Sequence, residues 1–108
     1  MCDGSGLSSA DCAKLKDVFA QYTDIQQVIL YGSRAKENFR LNSDIDLTII
    51  GDLDWQTFTQ LENELDDLLL PYKIDLSLFE HIENNKLVEH IQRVGKVFYQ
   101  KRNGLRFL

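Results

Sequence analysis

Hydrophobic positions along the chain switch between two periods, one near 3.6 residues and one near 2. Leu15, Val18, Phe19 and Tyr22 recur at i, i+3, i+4 and i+7, which predicts an amphipathic helix over 10–22 with Ser8 or Ser9 as its cap. Residues 25–31 read as a buried strand through Val28-Ile29-Leu30-Tyr31, ended by Gly32-Ser33. A short polar piece over 33–39 can form a turn or two of helix. Residues 44–50 alternate, with Asp44, Asp46 and Thr48 on one face and Ile45, Leu47 and Ile49 on the other. Asp52 or Asp54 can cap the next helix, whose stripe of Trp55, Phe58, Leu61, Leu65 and Leu68 runs until Pro71, the single proline. Alternation returns over 73–79, where Asp75 and Ser77 oppose Ile74, Leu76 and Leu78. Asn84 or Asn85 can start a last helix with Leu87, Ile91 and Val94 inward, closed by Gly95, and 97–99 form a short final strand. The expected order is α-β-α-β-α-β-α-β, an α/β (α+β) fold with a small mixed sheet and helices packed on it.

Length and composition narrow the classes. At 108 residues, with 44% hydrophobic and 27% charged positions, the expectation is one ordinary folded domain spanning 1–108. No apolar run approaches the roughly 20 residues that span a bilayer, and the first six residues do not read as a secretory signal. Cys2 and Cys12 are the two cysteines. They form neither a CxxC pair nor a disulfide framework, so a reducing, cytoplasmic setting is expected. The formal net charge is −5, so non-specific or direct nucleic-acid binding is not expected. Charge is also uneven: residues 41–72 hold eight acids and no Lys or Arg, whereas five of the 12 basic residues lie within 93–106. Most of these charges read as solvated surface.

Asp44 and Asp46 are placed differently. Residues two apart on a strand share a face, so two carboxylates stand side by side where repulsion and burial both raise their cost. Such a pair belongs at the wet end of a sheet or around a divalent cation. By itself a DxD is a weak signal. Gly32-Ser33 at a strand end adds a turn that allows close backbone approach, a hydroxyl and free N–H groups, the parts of a phosphate cradle. Asp75, on the polar face of a later strand, supplies a third carboxylate if that strand lies beside the first pair. Three carboxylates with a phosphate-binding turn suit two-metal phosphoryl or nucleotidyl transfer.

Gly32-Ser33, ten intervening residues and then Asp44-x-Asp46 among hydrophobic residues resemble the signature of the nucleotidyltransferase superfamily that includes polymerase beta. The run Val28-Ile29-Leu30-Tyr31-Gly32-Ser33-Arg34-Ala35-Lys36, with Ser43-Asp44-Ile45-Asp46-Leu47, is similar more narrowly to the minimal nucleotidyltransferases. These are small domains known mainly as antitoxins paired with helical HEPN-domain toxins. The resemblance extends over nearly the whole chain, including Lys73-Ile74-Asp75-Leu76 and Arg93-Val94-Gly95. It implies a polymerase-beta palm-like fold. It also implies two Mg²⁺ ions held by Asp44, Asp46 and Asp75, with ATP or another nucleoside triphosphate as substrate. Gly32 and Ser33 would meet the terminal phosphates, with Arg34 as a further phosphate contact. The implied reaction is transfer of a nucleoside monophosphate, AMP foremost, to a hydroxyl, with a tyrosine of a HEPN-type partner as acceptor. One departure is Glu37, where the family has glycine; Asn38 could take the left-handed turn instead.

Two other activities fit the same chain: a non-catalytic antitoxin acting by occlusion, and an aminoglycoside-type nucleotidyltransferase whose acceptor site comes from a separate subunit. Asp44-x-Asp46-x-Thr48 also matches the DxDxT of haloacid-dehalogenase phosphatases, but there the aspartates close a hydrophobic strand, and that fold needs far more chain. An EF-hand is excluded by Leu47, Ile49 and Ile50 at ligand or turn positions. His81 and His90 read as structural, Trp55 and the phenylalanines as core or interface, the four tyrosines as giving no nucleophile signal, and Lys101, Arg102 and Arg106 as a solvated tail.

Overall fold

In the computed structural model, which describes residues 6–36, 40 and 43–101, every expected strand and long helix forms. Helix α1 (Ser9–Ala20) is followed by β1 (Ile25–Tyr31), β2 (Ile45–Gly51), α2 (Trp55–Asp66), β3 (Ile74–Leu78), α3 (Asn85–Val94) and β4 (Lys96–Gln100). Each cap ambiguity resolves on a hydrogen bond. The Ser8 hydroxyl accepts from the Asp11 N–H at 3.1 Å, and Asp54 Oδ1 accepts from the Thr57 N–H at 2.7 Å. Asn84 Oδ1 accepts from the N–H groups of Lys86 and Leu87. These bonds satisfy donors that the first turn of a helix leaves unpaired.

Among the described residues of the polar piece after β1 there is a one-turn 3₁₀ helix, Gly32–Arg34; residues 37–39, with Glu37 and Asn38, lie outside the described residues, as do Cys2 and the tail from Arg102 onward. Helix α2 stops at Asp66, short of Leu68, because Leu69 turns into the left-handed region (φ 54°) ahead of Pro71. Cys12 on α1 is buried and disulfide-bonded rather than a free thiol, which corrects the reading of the cysteines as unbridged. Among the described residues no helix is long and apolar enough to cross a membrane.

The strands form one mixed sheet in the order β3-β2-β1-β4. β1 pairs antiparallel with both β2 and β4, while β2 and β3 run parallel, joined through α2. Ile45, Leu47, Ile49, Val28 and Leu30 face α1 and α2, and with Leu15, Phe19, Phe58 and Leu61 they make the core. Phe19 closes its far side edge-on against Phe98 of β4. The Tyr22 hydroxyl donates to Glu64 and so ties α1 to α2; burial first, then this acid, pushes the Tyr22 pKa up to about 12. Helix α3 lies on the opposite face, against β1.

Candidate active site

The face beneath α3 gathers the carboxylates that the sequence singled out. Alternation along three adjacent strands sends Tyr31 of β1, Asp46 of β2 and Asp75 of β3 to that face, and the register makes them one row: Tyr31 opposite Asp46, and Asp46 beside Asp75. A second row holds Ile29, Thr48 and Ser77 in the same order. Thr48 is fully buried, and its hydroxyl accepts from Ser77 Oγ at 2.9 Å. A short hydroxyl floor therefore lies next to the carboxylates. Asp44 is exposed and sits just ahead of β2.

Electrostatics ties the three acids together. Half-buried Asp46 has its pKa raised, first by burial, then by the negative charge of Asp75, then by that of Asp44. Tyr31 is raised by burial as well; a Ser77 hydrogen bond works against the shift, and Asp46 and Asp75 add to it. Asp46 and Tyr31 both disfavour further negative charge, the condition a bound cation relieves. Among the described residues, however, no three His, Cys, Asp or Glu side chains stand close enough to make a ready-formed cation cage. Asp44 and Asp75 are exposed and turned to water around the half-buried Asp46.

Gly32 joins the turn to the carboxylates. Its φ is +75°, and a Cβ there would lie 2.2 Å from Asp46 Oδ2. Only glycine lets the backbone approach the carboxylate so closely in that conformation. Ser33 follows in the 3₁₀ turn, partly exposed. Arg34, expected as a further phosphate contact, turns inward. It is 1% exposed; its Nε and Nη2 donate to the Ser43 carbonyl at 3.2 and 3.0 Å, and its guanidinium lies 5.0 Å over the Tyr72 ring. These contacts hold the backbone immediately before Asp44.

Four participants of this face were not singled out from the sequence as site residues. Tyr31 gave no nucleophile signal and His90 read as structural, yet His90 on α3 meets the Tyr31 ring edge-on at 6.3 Å and closes that end of the row. Thr48 and Ser77 were legible only as polar members of alternating strands. Counting in twos from Asp46 and Asp75 is the signal that finds them.

The chain matches the family described as Polymerase beta, Nucleotidyltransferase over residues 13–103. It belongs to that family. Solved structures share the nucleotidyltransferase fold. A toxin–antitoxin crystal structure with AMP-PNP aligns with a TM-score of 0.66 at 22% identity, covering 89% of this chain and 76% of that one. The complex of a tri-AMPylated Shewanella oneidensis HEPN toxin with its MNT antitoxin aligns at 0.63 and 18% identity, covering 88% and 74%. A candidate nucleotidyltransferase from Sulfolobus solfataricus aligns at 0.51 and 17%, covering 95% and 98%. No curated protein matches the chain. At these identities the structural likeness is one of fold, and the nucleotidyltransferase assignment rests on the family match.

Proposed function

We propose that this nucleotidyltransferase moves AMP from ATP onto a hydroxyl, and that the acceptor is a tyrosine of a helical HEPN-type partner, which it thereby neutralises as an antitoxin. The observation that carries the reading is the register of Asp46 beside Asp75, with the Gly32 backbone packed on the Asp46 carboxylate. The neighbours that hold AMP-PNP or an AMPylated toxin support the choice of adenylyl transfer and of partner.

The donor set suits Mg²⁺ in its chemistry, hard carboxylate oxygens with Asp46 in line with Asp75, and burial first, then the charges of Asp75 and Asp44, raises the pKa of Asp46. Asp44, Asp46 and Asp75 would hold the ions, whose chemistry when bound is to acidify the acceptor hydroxyl and neutralise the departing pyrophosphate. The protein's own part is positional. Gly32 brings its backbone to Asp46 and offers Ser33 beside it for the terminal phosphates. Arg34 holds the Ser43 carbonyl and so sets the path of the chain into Asp44. Tyr31, kept protonated by burial and by its acidic neighbours, bounds the site together with His90.

The test is incubation of the chain with its HEPN partner, Mg²⁺ and α-labelled ATP. Label is expected on the partner with the wild type and not with Asp44→Ala/Asp46→Ala. No label, or equal label with both proteins, refutes the reading. Partner neutralisation that survives alanine at all three aspartates would point to occlusion.

A further inference from the structure

The carboxylate row has two unlike ends. At Tyr31 it is closed, because α3 lies on β1 and His90 abuts the tyrosine ring. At Asp75 it is open, because β3 is the edge of the sheet and Asp75 is exposed. A macromolecular acceptor therefore reaches the carboxylates across β3, and the surface alongside β3 is where it has to be held.

That surface is a groove. Helices α1 and α2 cover the middle of the sheet but leave the core-facing side chains of β3, Ile74 and Leu76, only half-buried. Along the seam between α2 and β3 three hollows of about 350, 180 and 290 Å³ follow one another. The first two share Glu62 and Leu76; the second and third share Asp66 and Ile74. The far end is apolar and prominent: Trp55, 68% exposed, stacks on Phe58 at 5.2 Å. The near end reaches Tyr72 and Lys73, next to the site, since the Lys73 carbonyl accepts from the N–H of Ile45 that opens β2.

Charge selects the occupant. Glu62 and Asp66 stand one turn apart on the α2 wall, exposed Asp52 and Asp54 flank Trp55, and residues 41–72 contain no Lys or Arg. Length selects its form. Five residues of strand extend about 17 Å, equal to roughly three turns of helix. The hollow lies over the face of β3, between α2 and the edge, where a helix can rest.

We propose that the α2–β3 groove is the docking site for a basic amphipathic helix of the partner, holding that partner so that its acceptor hydroxyl enters the site over Asp75. The proposal rests on the partner reading above and adds the surface through which the two proteins meet. Apolar side chains of the helix fill the space beside Trp55 and Leu76, and its Lys or Arg side chains meet Glu62 and Asp66.

Trp55 is the sole tryptophan of the chain, so a chain labelled with 5-fluorotryptophan carries one ¹⁹F reporter in the groove. Titration with a HEPN-type partner protein should shift that resonance. Glu62→Lys/Asp66→Lys, at two exposed positions, should weaken binding at least tenfold while leaving the melting curve of the free chain in place. A complex that forms with the resonance unmoved, or that the double reversal weakens less than twofold, overturns the proposal and leaves the transfer reading standing. Protection of β3 amides from hydrogen exchange without a ¹⁹F shift would mean strand addition, and a concentration-dependent shift in the chain alone would mean a second copy; both overturn it. Asp44→Ala/Asp46→Ala should still shift the resonance. A complex made through the groove that never carries label retires the transfer chemistry and keeps the docking site, whereas failure to form any complex retires both.

Discussion

Gly32→Ala tests the junction on which the site depends. A Cβ at this position would lie 2.2 Å from Asp46 Oδ2, where even tight contacts need 3.0–3.4 Å, so the carboxylate has to retreat by about 1 Å. The φ of +75° adds a left-handed penalty of about 1–2 kcal/mol for alanine. In a domain of this size that corresponds to a fall in Tm of roughly 5–15 °C. A misplacement of about 1 Å in a reacting geometry costs on the order of 100-fold. The expected outcome is therefore a folded protein, moderately destabilised, with AMP transfer reduced about 100-fold. Thermal unfolding by circular dichroism and transfer of label from α-labelled ATP read the two effects separately. Gly51→Ala is the control: its Cβ would lie 2.1 Å from the Asp24 carbonyl, at the other end of β2, so it should lose stability and keep its turnover below its Tm. Gly32→Ala activity within threefold of wild type would refute the claim that this glycine sets the carboxylate.

Three further substitutions probe the same region. Asp46 has a raised pKa in the folded protein, by burial first and then by the charges of Asp75 and Asp44, so the cost of its charge is absent below the unfolded value of 3.8 and sets in as pH rises through the folded value; Asp46→Asn should remove this loss from the pH–Tm curve and abolish transfer. Arg34→Ala leaves the Ser43 carbonyl unpaired and should cost about 1–3 kcal/mol for that group alone; a raised KM for ATP with an unchanged Tm would instead make Arg34 a phosphate contact. Leu69→Asn should gain about 1 kcal/mol in urea unfolding, because an 87% exposed leucine at φ 54° contributes strain and little burial.

Elements and faces were readable because burial imposes strict periods. Ile45, Leu47 and Ile49 could face only the core, which left Asp46 and Thr48 on the other side, and the same reasoning applied to Ile74, Leu76 and Asp75. Pairing partners were not readable. Nothing in the alternation of 73–79 says that β3 lies beside β2, parallel and with Asp75 in line with Asp46; that follows from the path of α2 over the core. The inward turn of Arg34 was not readable, because its partners, the Ser43 carbonyl and the Tyr72 ring, are brought to it only by the fold, and a guanidinium after a turn looks the same in sequence whether it points inward or out. The contact of His90 with Tyr31 was not readable for a similar reason, since it depends on where α3 crosses β1. The end of α2 at Asp66 was obscured because Leu69, a residue rarely found left-handed, serves where glycine would have announced a stop.

The parallel pairing of β2 with β3 makes the spacing of residues as consequential as their chemistry. The Ile45–Lys73 bond starts the register and Asp46 meets Asp75 one step later. The turn between α2 and β3 can gain or lose a residue and still deliver β3 to the same place. One residue inserted between Lys73 and Asp75 has no such freedom: it exchanges the faces of the strand, turning Asp75 and Ser77 into the core and Leu76 out to water. Lineages of this fold should therefore drift freely in the length of that turn while holding an even or odd count inside β3, a constraint on insertions and deletions that no single side chain reveals.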